Sequence, residues 1–306
     1  MGLLSDLKAL GLGQFEDAKI IEDPAKKKAE EVVVVKTPEE LEKEAVFVRN
    51  IKCPVCDNDV SLLAMRPGKA KLEGTDSDLR PKYEKMDPIK YDAIACNSCG
   101  FAALTKYFGH LASRQVRDIK EQISPSFKGF EFKGELYSYD DAILRYKLAL
   151  ASEIVKKAKN SEKAYTALKL AWVFRGKRES LSKDEAKKEE NKQEIITLYS
   201  SELEALRIAY DGFNIAISKE SEPIAGMDSL TVQYLLADLA RRLKKYDEAS
   251  RLCAGVLTNQ SVQPRLKERA YDLKVMIQEE VKKQKEAAAA NEEAAKENAG
   301  QRAAKG

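Results

Sequence analysis

The chain has 306 residues, of which 43% are hydrophobic and 34% charged, and its 53 basic side chains nearly balance its 50 acidic ones. With a mean hydropathy of −0.47, this composition is typical of a soluble protein with room for two modest domains. No stretch approaches the roughly 18 consecutive apolar residues of a membrane span, and the N-terminus lacks a basic region followed by an apolar one. We therefore expect a cytoplasmic protein without a membrane span.

The N-terminal segment is predicted to form a short amphipathic helix followed by a charged linker. Leu3, Leu7 and Leu10 recur at helical spacing and would share one face. We expect this face to cover part of the protein itself, with a partner protein or a membrane surface as the alternatives. The linker, residues 17–44, is expected to be weakly ordered. Within it, residues 32–35 could add an edge strand and residues 37–40 are typical of a helix start.

Two Cys-x-x-Cys pairs are the most specific chemical feature of the sequence. Cys53 pairs with Cys56 and Cys96 pairs with Cys99, which accounts for four of the five cysteines. Thiolates two residues apart can both reach a tetrahedral ion when the backbone between them turns tightly, so two such turns fill one coordination sphere. The pairs are separated by about 40 residues, more than the roughly 15–20 of compact zinc motifs. An inserted hairpin or loop is therefore predicted between them.

Zinc is the predicted metal, since two such pairs in an intracellular chain form a metal site more often than disulfides. Four thiolates close the sphere, which indicates a structural and not a catalytic ion. Two alternatives remain. One is iron in a rubredoxin-like site, and the other is a reversible dithiol pair without a metal.

Around and after the cysteine pairs, the apolar pattern changes its period. From Val46 to Gly100 it predicts short strands and turns, with Gly100 in a left-handed backbone position. From Phe101 it predicts a helix that ends at Ser124-Pro125. Its apolar positions are Leu104, Phe108, Leu111, Val116, Ile119 and Ile123. His110, the only histidine, would lie on this helix as a surface or partly packed side chain and not as a ligand.

From Ser138 to about Lys282 the pattern predicts helix pairs similar to tetratricopeptide repeats. Small residues would sit where paired helices cross closely: Ala142, Ala149, Ala209, Ala237 and Ala249. The charged run from Gly176 to Glu194 is predicted to be an exposed loop or a helical extension. Trp172 and Cys253 are predicted core residues, so that Cys253 is not a fifth ligand.

The order of these features resembles the bacterial family named domain of unknown function 2225, over roughly Val46 to Met276. The residues that carry the resemblance are a CPxC turn, the stretch Asp76-Ser77-Asp78-Leu79-Arg80-Pro81-x-Tyr83, an Asp87-Pro88-x-x-Tyr91 step, a CxxCGFAA turn and the trailing helices. The resemblance implies a bacterial cytoplasmic protein with a metal-binding module and tetratricopeptide-like helices. It implies no established activity.

The predicted fold is mainly α, with a small β zinc-ribbon-like module and a tetratricopeptide-like helix-pair array. Four segments are predicted. They are an N-terminal amphipathic segment and linker (1–45), a zinc-ribbon-like module with an adjoining helix (46–135), the helical domain (136–282), and a disordered or fraying helical tail (283–306).

Three classes of function remain open at this point. Stacked helix pairs present a concave face that binds other proteins, so a zinc-stabilised adaptor without enzymatic activity is favoured. The charge balance disfavours nucleic-acid binding, because residues 46–100 carry nine basic against eight acidic side chains and no positive stripe. An enzyme would have to use a group of candidate surface-loop residues: Asp76, Asp78, Arg80 and Tyr83. Its carboxylates could hold magnesium, although an Asx turn and a local ion pair with arginine is the more common role of such residues.

Overall fold

A computed structural model describes residues 36–182 and 189–303 of the chain, with side chains as far as residue 288. The predicted helix carrying Leu3, Leu7 and Leu10, and the possible edge strand at 32–35, lie outside the described residues. The described part is mainly α-helical, with a few short antiparallel strand pairs. This confirms the predicted fold class.

The β module consists of three two-stranded antiparallel sheets, β1 with β2, β3 with β4 and β5 with β6. Its elements in chain order are α1 (Pro38–Ala45), β1 (Val46–Lys52), β2 (Asp59–Met65), β3 (Leu72–Thr75), β4 (Pro81–Tyr83), a 3-10 turn (Pro88–Tyr91), β5 (Ala93–Ala95) and β6 (Ala102–Leu104). The predicted helix start is confirmed at α1, which begins with Pro38 and carries two glutamates in its first turn.

The predicted helix after the second cysteine pair starts too early. Residues 102–104 form β6, and α2 covers only Ser113–Gln122. Pairing with β5 satisfies the backbone of Leu104 in a sheet, and Phe108 packs on Phe101 at a centroid distance of 5.1 Å in the turn that follows. The apolar residues in the first half of the predicted helix are therefore core residues of a hairpin and a turn. Only the second half of the predicted stretch is helical. The predicted end is correct, since a 3-10 turn occupies Ser124–Ser126, and His110 is exposed.

Among the described residues six further helices follow, and each packs against the next. They are α3 (Tyr139–Val155), α4 (Asn160–Ser182), α5 (Lys192–Lys219), α6 (Ser229–Arg242), α7 (Tyr246–Thr258) and α8 (Pro264–Ala303). Side-chain caps begin two of them: the Ser138 hydroxyl accepts from the Asp141 N–H, and the Asp228 carboxylate accepts from the Thr231 N–H. None of the described helices is long and apolar enough to cross a membrane.

The residues predicted to lie at helix crossings are buried. Ala142, Ala149, Ala209, Ala237 and Ala249 are all 0% exposed. Trp172 and Cys253 are buried as well, and the Cys253 thiol donates to the Ala270 carbonyl at 3.2 Å. The charged run begins as a continuation of α4 to Ser182, and α8 continues to Ala303 with exposed side chains over 282–288.

The β module sits on α3. The Tyr146 hydroxyl donates to the Ile89 carbonyl at 3.0 Å, and the Ala102 N–H donates to the Ser152 hydroxyl at 3.0 Å. Ala93 and Leu104 of the module belong to the same apolar core as the helices. The module and helices therefore share a core, and the exact domain boundaries of the sequence analysis stay a prediction.

Candidate metal centre

The two Cys-x-x-Cys turns have the same backbone geometry. The first follows β1, and the second connects β5 to β6. In each turn the fourth residue after the first cysteine is left-handed, Asp57 with φ 62° and Gly100 with φ 79°. Its N–H donates to the carbonyl of that cysteine at 3.0 Å. The predicted role of Gly100 is confirmed, and a Cβ there would lie 2.7 Å from the Phe127 ring.

The four thiols converge on one point. The sulfur atoms of Cys53, Cys56, Cys96 and Cys99 all lie within 4.8 Å of one another. The Cys53–Cys99 and Cys56–Cys96 sulfur distances are both 3.6 Å. A tetrahedral zinc site with metal–sulfur bonds of about 2.3 Å requires sulfur–sulfur distances of about 3.8 Å, whereas a disulfide is about 2.05 Å long. The cluster could therefore hold one metal ion, and each close pair combines one cysteine from each turn.

The surroundings of the cluster are apolar and partly closed to solvent. Three of the four cysteines are buried, and Cys56 is half-buried. The cluster is part of a small core with Val60 of β2, Ile94 of β5, Ile119 of α2 and Phe101, which directly precedes β6. Such a small core gains much of its stability from a bound ion. Within the part of the chain that the structure describes, no other group of His, Cys, Asp and Glu side chains is arranged to hold a metal.

The four surface-loop candidates lie apart from the cysteine cluster, and they fall into two groups with different surroundings. We define the acidic loop as Asp76, Ser77 and Asp78, between β3 and β4. Asp78 is 0% exposed and not on the surface. Its carboxylate forms a two-pronged pair with Arg175 of α4, at 3.1 and 2.5 Å, and accepts from the Trp172 indole N–H at 3.1 Å. Both of its oxygens are therefore occupied, and a magnesium role is not supported.

The local ion pair expected within the loop is only a minor contact. Asp76 lies 4.0 Å from Arg80, while Arg175 at 3.1 Å and Lys82 at 3.0 Å are closer. Asp76 is thus shared between Lys82 of β4 and Arg175 of α4, while the main partner of Asp78 is Arg175. Burial alone would raise the pKa of Asp78, but Arg175 and Arg242 outweigh it and lower that pKa to about 2.

Arg80 and Tyr83 line a different feature, a cavity of about 700 Å³ beside the end of α4. Arg80 is buried and pairs with Asp87 at 3.3 Å and Glu179 at 3.0 Å. The four residues of the loop group therefore do not converge on one ligand.

Sequence reasoning missed the partners of the acidic loop. Two charged residues lie within apolar helical stretches, Arg175 after Trp172-Val173-Phe174 and Asp238 within Leu235–Ala240. Both are buried. A charge flanked by core residues on a helix is a signal for a buried pair, and it could have identified both positions.

A small β module with four converging thiols, packed on a mainly helical body, defines the class of this protein: a helical protein with a candidate structural metal centre. The chain belongs to a bacterial family described as "Uncharacterized protein conserved in bacteria (DUF2225)", whose model matches residues 46–277. The resemblance expected from the sequence is confirmed. No curated protein and no solved structure matched the chain.

Proposed function

We propose that the protein is a zinc-stabilised protein-interaction protein, an adaptor without catalytic activity. Zinc is favoured over iron because an all-thiolate, tetrahedral, closed sphere is the common arrangement of structural zinc sites. The 3.6 Å sulfur distances fit the tetrahedral thiolate sphere that this assignment requires. Reduced thiols require a reducing compartment, so we place the protein in the cytoplasm. The two loop carboxylates are paired with arginines, and the proposal gives them no chemical step.

The observation that carries the protein-binding role is how the helices hold the acidic loop. We define the inner face by the side chains that contact this loop from alternate helices: Trp172 and Arg175 of α4, Tyr234, Asp238, Arg241 and Arg242 of α6, and Arg269 of α8. This face binds main-chain atoms as well as side chains, since the Tyr234 hydroxyl donates to the Ser77 carbonyl at 2.8 Å. The loop itself is a tight turn, in which the Leu79 N–H donates to the Asp76 carbonyl at 3.1 Å. Holding a short segment by its main chain and its side chains together is what peptide recognition requires.

Affinity capture tests the proposal. The tagged full-length protein is expressed in its native bacterium, and the captured proteins are identified by mass spectrometry after nuclease treatment. We expect one reproducible protein partner whose yield falls with Arg269→Ala on the inner face. Arg251→Ala is the matched control, because Arg251 is exposed on α7 and contacts Glu248 of its own helix. Capture that is lost on nuclease treatment would instead support nucleic-acid binding, and capture of no protein would contradict the adaptor.

A further inference from the structure

We propose that the inner face is a recognition site for an acidic Asp-x-Asp segment of a partner protein, and that the chain's own acidic loop occupies this site until the partner displaces it. The inference deepens the proposed function and rests on it. It adds the chemistry of the partner segment and a form of regulation, and the adaptor role alone specifies neither.

The charges of the face match two carboxylates. Together with the charged side chains that pair with it, the face has five arginines, Arg175, Arg178, Arg241, Arg242 and Arg269, and three acids, Glu202, Asp238 and Glu280. The face alone thus carries an excess of two positive charges. Asp76 and Asp78 supply two negative charges, and each lies within 3.1 Å of an Arg175 nitrogen. An occupant with two carboxylates two residues apart neutralises the face, whereas a neutral occupant leaves buried charge without a partner.

The remaining contacts also go to groups that an external segment can provide. The Ser77 hydroxyl accepts from Arg242 at 2.9 Å and donates to Asp238 at 3.2 Å. The two carbonyls that accept from Tyr234 and Arg269 belong to the main chain. Recognition therefore depends on two carboxylates, one hydroxyl and two carbonyls of a tight turn, which the Leu79 N–H closes onto the Asp76 carbonyl at 3.1 Å. A short peptide can present the same groups in a turn.

Within the β module the loop is supported only by its own hairpin. The Asp76 N–H donates to the Arg80 carbonyl at 2.8 Å, the Leu79 N–H donates to the Asp76 carbonyl at 3.1 Å, and Lys82 pairs with Asp76 at 3.0 Å. The loop is the tip of a hairpin of four and three residues, β3 and β4, which pairs with no other strand among the described elements. Such a two-stranded hairpin is marginal without packing against another element. Directly after the loop, Leu79 has a left-handed backbone with φ 68°, an unfavourable conformation for a branched residue. Helix contacts therefore hold the loop in place, and a competitor for those contacts can release it.

The test uses the full-length protein and a labelled peptide with the sequence of residues 74–81, Gly-Thr-Asp-Ser-Asp-Leu-Arg-Pro. In the wild type the face is occupied. The double variant Asp76→Asn and Asp78→Asn weakens the internal occupant while leaving the face intact. We expect fluorescence polarisation to show binding to this variant roughly tenfold or more tighter than to the wild type, because charge-assisted contacts are restored. A peptide with both aspartates replaced by asparagine should not bind.

Further variants keep the test decisive. Ser77→Ala removes the hydroxyl contacts and retains both carboxylates, so it replaces the double variant if that protein does not fold. We expect its affinity for the peptide to lie between those of the wild type and the double variant. Adding Arg269→Ala should weaken peptide binding in either background, while Arg251→Ala should not. Zinc content and far-UV circular dichroism establish folding. If the folded variants bind the peptide no better than the wild type does, the loop is a permanent part of the fold and the inference is overturned.

The outcome separates this inference from the proposed function. A partner captured from cells and released by the peptide supports both. A partner that the peptide does not release overturns the acidic-segment site and leaves the adaptor role standing, with the contact on another surface. Binding that is insensitive to Arg269→Ala likewise overturns the inference, because the peptide would then occupy a different site.

Discussion

Arg175 and Asp78 form a buried two-pronged ion pair that joins the helical array to the β module. The two residues are 97 positions apart in the chain. Arg175 is 3% exposed and Asp78 0%. Arg175 also donates to Glu202 of α5 at 2.7 Å, so one guanidinium connects the loop, α4 and α5. Burial would lower the pKa of Arg175, but Asp78 and Glu202 outweigh it and raise that pKa above its usual value.

Asp78→Asn should destabilise the protein by about 3 kcal/mol at pH 7, because it leaves Arg175 buried with reduced compensation. The pKa of Asp78 is about 2 in the fold, below its usual range near 3.9. A lowered pKa in the folded state gives stability that is present above the unfolded pKa and is lost as the pH falls toward 2. The difference in unfolding free energy between wild type and variant should therefore shrink from pH 5 to pH 2.

Urea unfolding at several pH values measures this difference, and metal loss at acid pH affects both proteins alike. Asp59→Asn is the control, since Asp59 and its partner Lys52 are exposed and such pairs contribute little. If the difference in unfolding free energy between wild type and Asp78→Asn stays constant down to pH 2, the ion pair is not the cause of that difference.

The metal prediction is one zinc ion per chain at Cys53, Cys56, Cys96 and Cys99. Elemental analysis should find about one zinc, and the protein should be colourless because zinc has a filled d shell, whereas an iron–thiolate centre absorbs visible light. Replacing any one of the four with Ser should lower the metal content. It should also increase hydrogen exchange first in residues 46–100, because the small core there depends on the ion.

Cys253→Ser is the matched control for the metal prediction. Its thiol lies between α7 and α8 and donates to Ala270. The metal content of this variant should equal that of the wild type. Fully folded wild-type protein without any bound metal would contradict the assignment.

The cysteine cluster could be predicted from the sequence because its information is local. Each turn is set by four or five consecutive residues, and Gly100 at the left-handed position is visible without a structure. The helical burial pattern was equally local, since Ala142 and Ala249 follow a helical period. The contacts between the acidic loop and the inner face could not be predicted in this way, because they are not local in sequence. Which arginine pairs with Asp78 depends on tertiary packing, and no local period relates residue 78 to residue 175.

The early start of the predicted helix has a related cause. Residues 102–104 are buried on every side, and their spacing to Phe108 imitates one helical turn. Burial on both faces removes the alternation by which a strand is recognised. Only the pairing of Ala103 with Ile94 in β5 decides in favour of a strand.

Ala249→Leu should cost roughly 1–3 kcal/mol of stability by overpacking. Ala249 is 0% exposed on α7, in the core shared with α6 and α8, and a leucine there would have to displace packed neighbours. Thermal unfolding measures the effect. Ala254→Leu, on the same helix at an exposed position, should change the midpoint little. Equal midpoints for wild type and Ala249→Leu would show that this crossing has room for the larger side chain.

Glu153→Gln should become increasingly stabilising relative to the wild type as the pH rises from 5 to about 8. Glu153 is 0% exposed on α3, and burial raises its pKa to about 8, although the Thr166 hydroxyl donates to one carboxylate oxygen at 2.6 Å. The other oxygen has no hydrogen-bond partner among the described residues. A raised acid pKa means that the fold prefers the protonated form. The wild type therefore loses stability as the pH rises from the unfolded pKa near 4.3 through about 8.

Glutamine imitates the protonated carboxyl and does not ionise, so the gap between the two unfolding midpoints should be small near pH 5, should grow as the pH rises to about 8, and should level off above it, with the variant higher. Glu121→Gln is a suitable control because Glu121 is exposed on α2, and its curve should run parallel to that of the wild type. A Glu153→Gln protein that is less stable than the wild type at pH 9 would show that the ionised carboxylate is the form the fold uses, held by the nearby Lys156 and Lys163.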